Sequence, residues 1–272
     1  MPTLLQRPTG SSGLQEVLRM PRGTHPIETD YKMARENSIN RFNNDIQTNA
    51  GYLYTSTDRL SCRFSNQRLS LAARQMTDFR GKAVVDVGCG DGTYSFELLD
   101  AGAASVVGVD AADEAVALAN RRAEGDDRIR FEASDIYTYR SPAQRYQLAV
   151  VRGLLHHLYE PEKAIANISH LAEEIIVVEP NGYNPLLKII EKLSRYHVEH
   201  EEKSFTPHQL RRWFERHGGT VISGRYVGLV PFFCPDLPAR ILKAIEPLVE
   251  RIPLLRHLCC GVYVFRVKMA RP

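Results

Sequence analysis

Ala83-Val84-Val85-Asp86-Val87-Gly88-Cys89-Gly90-Asp91-Gly92-Thr93-Tyr94 runs from an apolar, β-branched segment into three glycines spaced by two. The first part reads as a strand. Glycines at 88, 90 and 92 let the backbone turn tightly and approach a ligand where a Cβ would collide. Phe96, Leu98 and Leu99 then mark a helix, whose start offers N–H groups and a positive dipole end suited to a carboxylate or phosphate. Next comes a second strand, Ser105-Val106-Val107-Gly108-Val109-Asp110, ending in an acid twenty residues after Gly90. An acid at that interval holds a ribose diol. Strand, glycine turn, helix, strand and acid together predict a nucleoside-cofactor site.

The spacing narrows the cofactor. A dinucleotide site calls for G-x-G-x-x-G, but Thr93 stands where that third glycine would fall. Asp86 would be awkward beside a pyrophosphate and suits a cofactor with a cationic end. The stretch resembles the first motif of class I S-adenosylmethionine-dependent methyltransferases. The resemblance implies S-adenosylmethionine as donor and S-adenosylhomocysteine as product, with the donor's carboxylate received by the turn and helix start.

The resemblance continues over roughly residues 70–225. Asp110 and Ala111 match the ribose position. Ala133-Ser134-Asp135-Ile136 matches the segment that meets the adenine. Tyr146–Arg152 looks like the fourth strand, leading into Leu155-His156-His157-Leu158, and Glu174–Pro180 looks like the fifth strand. Two departures stand out: Gln147 replaces a common acid, and Arg152 fills a position more often held by a small or polar residue. The implied cofactor-binding set is Asp86, Gly88, Cys89, Gly90, Gly92, Asp110, Ala111, Asp135, Ile136 and Arg152. Other readings stand beside it. Asp110 suits the cap of a helix near 113, Asp135 suits a turn, and Asp86 suits ordering the glycine turn.

The expected fold is α/β: a doubly wound, Rossmann-like, mostly parallel seven-stranded sheet with an antiparallel last strand. N-terminal helices and helical insertions would form a lid. Residues 1–27, rich in Pro and Gly, read as a flexible tail with a short helix at 14–19. Residues 28–80 read as a helical cap, with helices at 28–48 and 65–79. Residues 81–272 read as the core, with insertions at 181–205 and 231–258. Further helices are expected at 93–102, 113–123, 161–172 and 206–217, the last opened by Thr206-Pro207 and closed by Gly218-Gly219. In the second insertion Ile241, Leu242, Ile245, Leu248, Val249 and Ile252 recur at helical spacing, and Pro247 should kink or divide that helix.

At 272 residues with 25% charged side chains and net charge +3, the chain has the composition of a soluble globular protein. Nothing in the overall charge calls for nucleic acid. Cysteines at 62, 89, 234, 259 and 260 show no paired spacing, which predicts a reducing, cytoplasmic setting. No apolar run approaches the ~20 residues of a membrane span, and no secretion signal is evident. The oligomeric state is left open, with a dimer among the options.

Methyl transfer to a hydroxyl needs alignment and removal of a proton, for which a histidine is the usual choice. The candidates are His156 and His157 at the end of the fourth strand, and His200 in Arg195-Tyr196-His197-Val198-Glu199-His200-Glu201-Glu202. The plainer alternatives are a loop-ordering or capping role for the pair and a solvated stretch around His200. That run has no recognised zinc-ligand spacing, so no metal is expected. Tyr31, Arg41, Phe42, Tyr52 and Tyr54 are candidates to line the site, or simply to pack. From 206 to 272 eleven Arg and Lys face four acids. With the apolar residues of 241–252 this suits a membrane surface or an anionic, lipid-linked substrate, but an ordinary packed helix under a solvated face is the preferred expectation.

The leading expectation is a methyltransferase for a small or medium-sized metabolite, most naturally at oxygen. The alternatives are a lipid-linked or macromolecular acceptor, or a non-catalytic protein that binds S-adenosylmethionine. The loop after the fourth strand, Arg152-Gly153-Leu154-Leu155, lacks the D/N-P-P-Y/F pattern of nucleobase methylation.

Overall fold

The computed structural model describes residues 28–49, 51–52, 54–141, 145–193 and 203–270. Two helices lead, α1 (Glu28–Asn49) and α2 (Leu60–Arg74). Strands and helices then alternate: β1 (Ala83–Val87), α3 (Thr93–Asp100), β2 (Ser105–Asp110), α4 (Asp113–Arg122), β3 (Ile129–Ala133), β4 (Tyr146–Arg152), α5 (Pro161–Leu171) and β5 (Ala172–Pro180). There follow α6 (Pro185–Leu193), α7 (Pro207–Arg216), β6 (Gly219–Val227), α8 (Asp236–Arg251), α9 (Pro253–Cys259) and β7 (Val262–Met269). The tail at 1–27, its expected helix and His200 lie outside the described residues.

The strands form one sheet in the order β3-β2-β1-β4-β5-β7-β6. β1 to β5 pair in parallel, and β7 runs antiparallel between β5 and β6. This is the doubly wound sheet the motifs predicted. Successive strand residues point to opposite faces, so the core divides in two. Val85, Val87, Ala149, Val151, Ile175 and Val177 pack with α5 and α7 residues such as Ile165, Ile168, Leu210 and Phe214. Val84, Val106, Leu148, Val150 and Ile176 pack on the other side with Leu69 and Ala72 of α2, Leu98 of α3 and Val116 of α4. Gln147 ties the starts of β1 and β4 together, its Oε1 accepting the N–H of Ala83 at 2.8 Å.

β1 lies between β2 and β4, so the crossovers diverge there and the strand tips open a crevice, the usual ligand position in such sheets. The Thr206 hydroxyl caps α7 by accepting the Gln209 N–H, with Pro207 at the first helical position. Along α4, α1 is held by Asn43 on Asp113 (2.6 Å) and by Ile46 packed with Ala112 and Ala115.

Three local expectations change. α2 begins and ends five residues earlier than 65–79, although Met76 and Phe79 stay buried as loop residues. Their burial had imitated helical spacing. α8 passes through Pro247 without dividing. Pro247 is on the exposed side, where water can satisfy the carbonyl its missing N–H leaves; the break comes at Ile252-Pro253 instead. Most important, the apolar residues of α8 are not one packed face. Val249 and Leu242 turn inward, while Ile241, Ile245, Leu248 and Ile252 are exposed.

Candidate active site

The glycine turn is fixed from beneath. Gly88 and Cys89 donate their N–H groups to the Val109 carbonyl at 2.8 and 3.2 Å, and Gly92 donates to the Cys89 carbonyl at 3.1 Å. The Gly90 N–H goes to the Asp110 carboxylate at 2.8 Å, and the Thr93 N–H to Asp91 at 3.1 Å. These N–H groups are therefore committed to the turn itself. The missing side chain at Gly90 lets Tyr52 pack directly on the turn. Gly90 has φ 54°, and a Cβ there would lie 2.8 Å from the Tyr52 ring.

Asp110 does not cap α4, whose N-cap is Ala112 without a side-chain bond; it is held in the turn before it. One oxygen accepts from Gly90 and the other from Ala112 at 2.8 Å, a local turn ahead of α4. Held by two backbone donors, the carboxylate stands in the cavity wall with a second lone pair on each oxygen, the equipment for two adjacent hydroxyls. Burial raises its pKa, and the backbone hydrogen bonds pull against that shift.

Asp86 and Gly92 are not on the cavity wall. Asp86 is buried beneath the turn, where it accepts the Ser95 hydroxyl at 2.6 Å, and burial pushes its carboxyl up to about 6. A Cβ at Gly92 would lie 2.7 Å from Phe131, so this glycine packs helix on strand. Both build the site from behind.

The cavity itself measures about 980 Å³. At one end Gly88, Cys89, Gly90, Asp110, Ala111, Asp135, Ile136 and Arg152, eight of the ten residues expected at the cofactor, share its wall. Arg152 lies 3.4 Å from the centroid of the Tyr94 ring and donates to Ser70 at 2.9 Å and Asn66 at 3.3 Å. It places a cation at this end. Burial keeps the Cys89 thiol neutral by raising its pKa well above the ordinary value. Asp135 is paired with Arg35 of α1 at 2.9 Å, and its other oxygen accepts from Tyr137 N at 2.9 Å. Phe42 and Tyr52 close the same end, their rings edge to face at 5.9 Å. For Tyr31 only the backbone is described.

His156 and His157 both reach the cavity from a single 3₁₀ turn after β4, their ring centroids 3.9 Å apart. His156 Nδ1 is 2.8 Å from Glu179 Oε2. Glu179, 1% exposed, also accepts the N–H groups of Leu154 and Leu155 at 2.9 and 2.8 Å through its other oxygen. A carboxylate on Nδ1 fixes the tautomer that carries its lone pair on Nε2. Phe42 packs edge-on against His157 at 5.0 Å.

Glu179 is the residue that sequence reasoning missed as part of the site. Its signal was present: a single acid ends the apolar run Ile175-Ile176-Val177-Val178 at a strand's carboxyl tip. Asp91 is a second. Buried in the turn, it gathers Thr55 and Arg122, each at 3.1 Å. Among the described residues no cluster of three or more His, Cys, Asp and Glu could hold a metal ion.

The far end of the cavity is apolar. Leu187 and Ile190 of α6, Leu242 of α8, Leu258 of α9, and Val230 and Phe232 of the loop after β6 line it. α2 pins that loop, with Ser65 and Ser61 donating to the carbonyls of Val230 and Phe232 at 2.6 Å.

Sheet order and crevice define a Rossmann-like fold of the methyltransferase kind. Residues 84–174 match the family described as a methyltransferase domain. Over 116 residues the chain is 35% identical to the ubiquinone biosynthesis O-methyltransferase of Coxiella burnetii, covering 42% of this chain and 46% of that one. The chain thus spans just under half the length of the curated relative it matches. Magnesium protoporphyrin IX methyltransferase from Synechocystis, solved with bound S-adenosylmethionine, superposes with TM-score 0.57 at 14% identity, covering 91% of this chain and 100% of that one. The cyclase SpnF superposes with TM-score 0.60 at 17% identity, covering 89% and 95%. Residues 84–174 are thus similar to a methyltransferase domain, set in a fold shared with solved methyltransferases. Because a cyclase shares the fold, the reaction has to be argued from the site.

Proposed function

We propose that this protein transfers a methyl group from S-adenosylmethionine to a hydroxyl oxygen of a small or medium-sized acceptor with a substantial apolar body. The observation that carries the proposal is that one cavity joins the Asp110 wall and glycine turn to the His156–Glu179 pair. A cavity of about 980 Å³ is at the upper end of ligand-pocket size and has room for donor and acceptor together.

The residues fit the donor. Asp110 presents carboxylate oxygens to the ribose hydroxyls. Arg152 supplies a cation for the carboxylate of the amino-acid tail, in place of the N–H groups of Gly88, Cys89, Gly90 and Gly92, which are bonded within the turn. Asp135 and Ile136 meet the base. When bound, the donor supplies a methyl group already activated on a sulfonium. His156 takes the acceptor's hydroxyl proton at Nε2 as the new oxygen–carbon bond forms and the carbon–sulfur bond breaks. Glu179 stabilises the resulting imidazolium, which then returns its proton to water. His157, packed on His156 and against Phe42, is a positioning residue for that ring.

The partial likeness to a quinone-pathway O-methyltransferase supports oxygen as the acceptor atom. The apolar far end supports an acceptor with lipid-like bulk. The test compares His156→Ala with wild type on a phenolic acceptor using methyl-labelled donor. Turnover should fall about a hundredfold to ten-thousandfold, the range of one general base, while donor affinity stays within about threefold. Equal loss of both, or no loss of turnover, would remove His156 as the base.

A further inference from the structure

The strongest feature the proposed reaction does not use is the outer face of the two insertions. On α8 and its C-cap, Leu237, Ile241, Ile245, Leu248 and Ile252 follow one another at steps of four, four, three and four, which places them along a single stripe. Leu237 is 71% exposed, Ile241 55% and Leu248 60%. The stripe lies away from Val249 and Glu246, which pack inward. α6 repeats the design with Leu186, Ile189 and Leu193, and α9 adds Leu254 and Leu255. α6 and α9 pack against each other. Isolated apolar residues on a surface need no explanation, but stripes on three neighbouring helices do.

Charge says what covers this face. Two of the three acids of α8 are turned inward: Glu246 binds Lys243, and Glu250 binds Arg68 of α2. Arg240 and Arg251 stand on the exposed rim beside the stripe, and Lys192 is exposed at the end of α6. Among the charged residues of α8, Asp236 at its start is the one exposed acid. An apolar stripe edged by cations is the pattern of a helix lying in a membrane interface with anionic headgroups. The cavity opens here too, since Leu186 and Leu258 both line it and are exposed. Among the described residues no helix is long and apolar enough to cross a membrane, so the contact is with the surface.

We infer that α6, α8 and α9 dock the protein on an anionic lipid surface, so that an acceptor dissolved in that layer enters the cavity between Leu186 and Leu258. The docking is independent of catalysis; the entry of the acceptor rests on the methyltransferase reading.

The test is co-sedimentation of the full chain with phosphatidylcholine vesicles, alone or with about one third phosphatidylglycerol. Wild type should bind the anionic vesicles at least about tenfold better than the neutral ones. Ile241→Asp/Leu248→Asp should lower that binding about tenfold or more, with unchanged melting because both positions are exposed. Arg240→Glu/Arg251→Glu should lose most of the preference for anionic lipid. Wild type remaining in the supernatant with both vesicles would overturn the inference. So would a dimer by light scattering that Ile241→Asp/Leu248→Asp turns into a monomer, because a second copy would then own the face. Donor binding measured without vesicles fails or succeeds separately, which keeps the two readings distinguishable.

Discussion

The two ends of the cavity are built on different plans. The donor end comes from strand tips in close succession, its polar groups tied to their neighbours: Gly90 to Asp110, Asp110 to Ala112, Asp91 to Thr93. The acceptor end is assembled from α2, α6, α8, α9 and the loop after β6, which are far apart in the chain and meet through tertiary contacts, polar ones such as Arg68 to Glu250 among them. A site built locally from short-range hydrogen bonds has one geometry. A site built from insertions can change its shape and size while the first stays fixed. The contrast teaches that donor and acceptor recognition are separable in this molecule, and substitutions at each end should separate them.

The largest effect should come from Asp110→Ala, which removes the ribose partner and releases the Gly90 N–H. Two charge-assisted hydrogen bonds to the donor are worth about a hundredfold or more together. Calorimetry should show that loss, with the fold retained by circular dichroism. An unchanged donor affinity would mean that the two ends are not divided as described.

Next in size is Leu242→Trp, which fills the far end from α8. It should raise KM for a bulky apolar acceptor about tenfold, an effect of the size a hydrophobic pocket can impose. Donor affinity should not move. A parallel loss of donor binding would show the ends to be coupled.

The third is Asp86→Asn, which tests the support beneath the donor end. Burial raises the Asp86 carboxyl from 3.8 to about 6. The folded state therefore holds the proton more tightly, so stability falls as pH rises from about 4 to about 6 and stays lower above that. The amide lacks this cost and can still accept from Ser95. Its melting point at pH 8 should rise by several degrees, on the order of 3 kcal/mol, and the gain should vanish below about pH 4. A loss of stability at pH 8 would mean that the turn needs the charge.

The same contrast explains what could be read from the chain. The sheet, the glycine turn, Asp110, Asp135 and the histidine pair were legible because each follows from a local pattern. So was the start of α7, fixed by Thr206-Pro207. Glu179 was harder: its meaning depends on β5 lying beside β4, so that a carboxylate 23 residues away meets His156. The fate of the turn N–H groups was hidden for a similar reason, because the Val109 carbonyl claims two of them from the neighbouring strand. The outward stripe of α8 was misjudged because helical spacing records that apolar residues share a face. It does not record whether that face meets the core. Ile241 and Leu242 are adjacent in sequence and point to opposite environments.

The most direct measurement is calorimetric titration of the folded, full-length protein with S-adenosylhomocysteine, the proposed product. One compound bound per chain, with an affinity that Leu242→Trp leaves alone, is the predicted result. Absence of any binding heat, checked by equilibrium dialysis with labelled compound, would contradict the assignment of the Asp110 end to an adenosyl ligand.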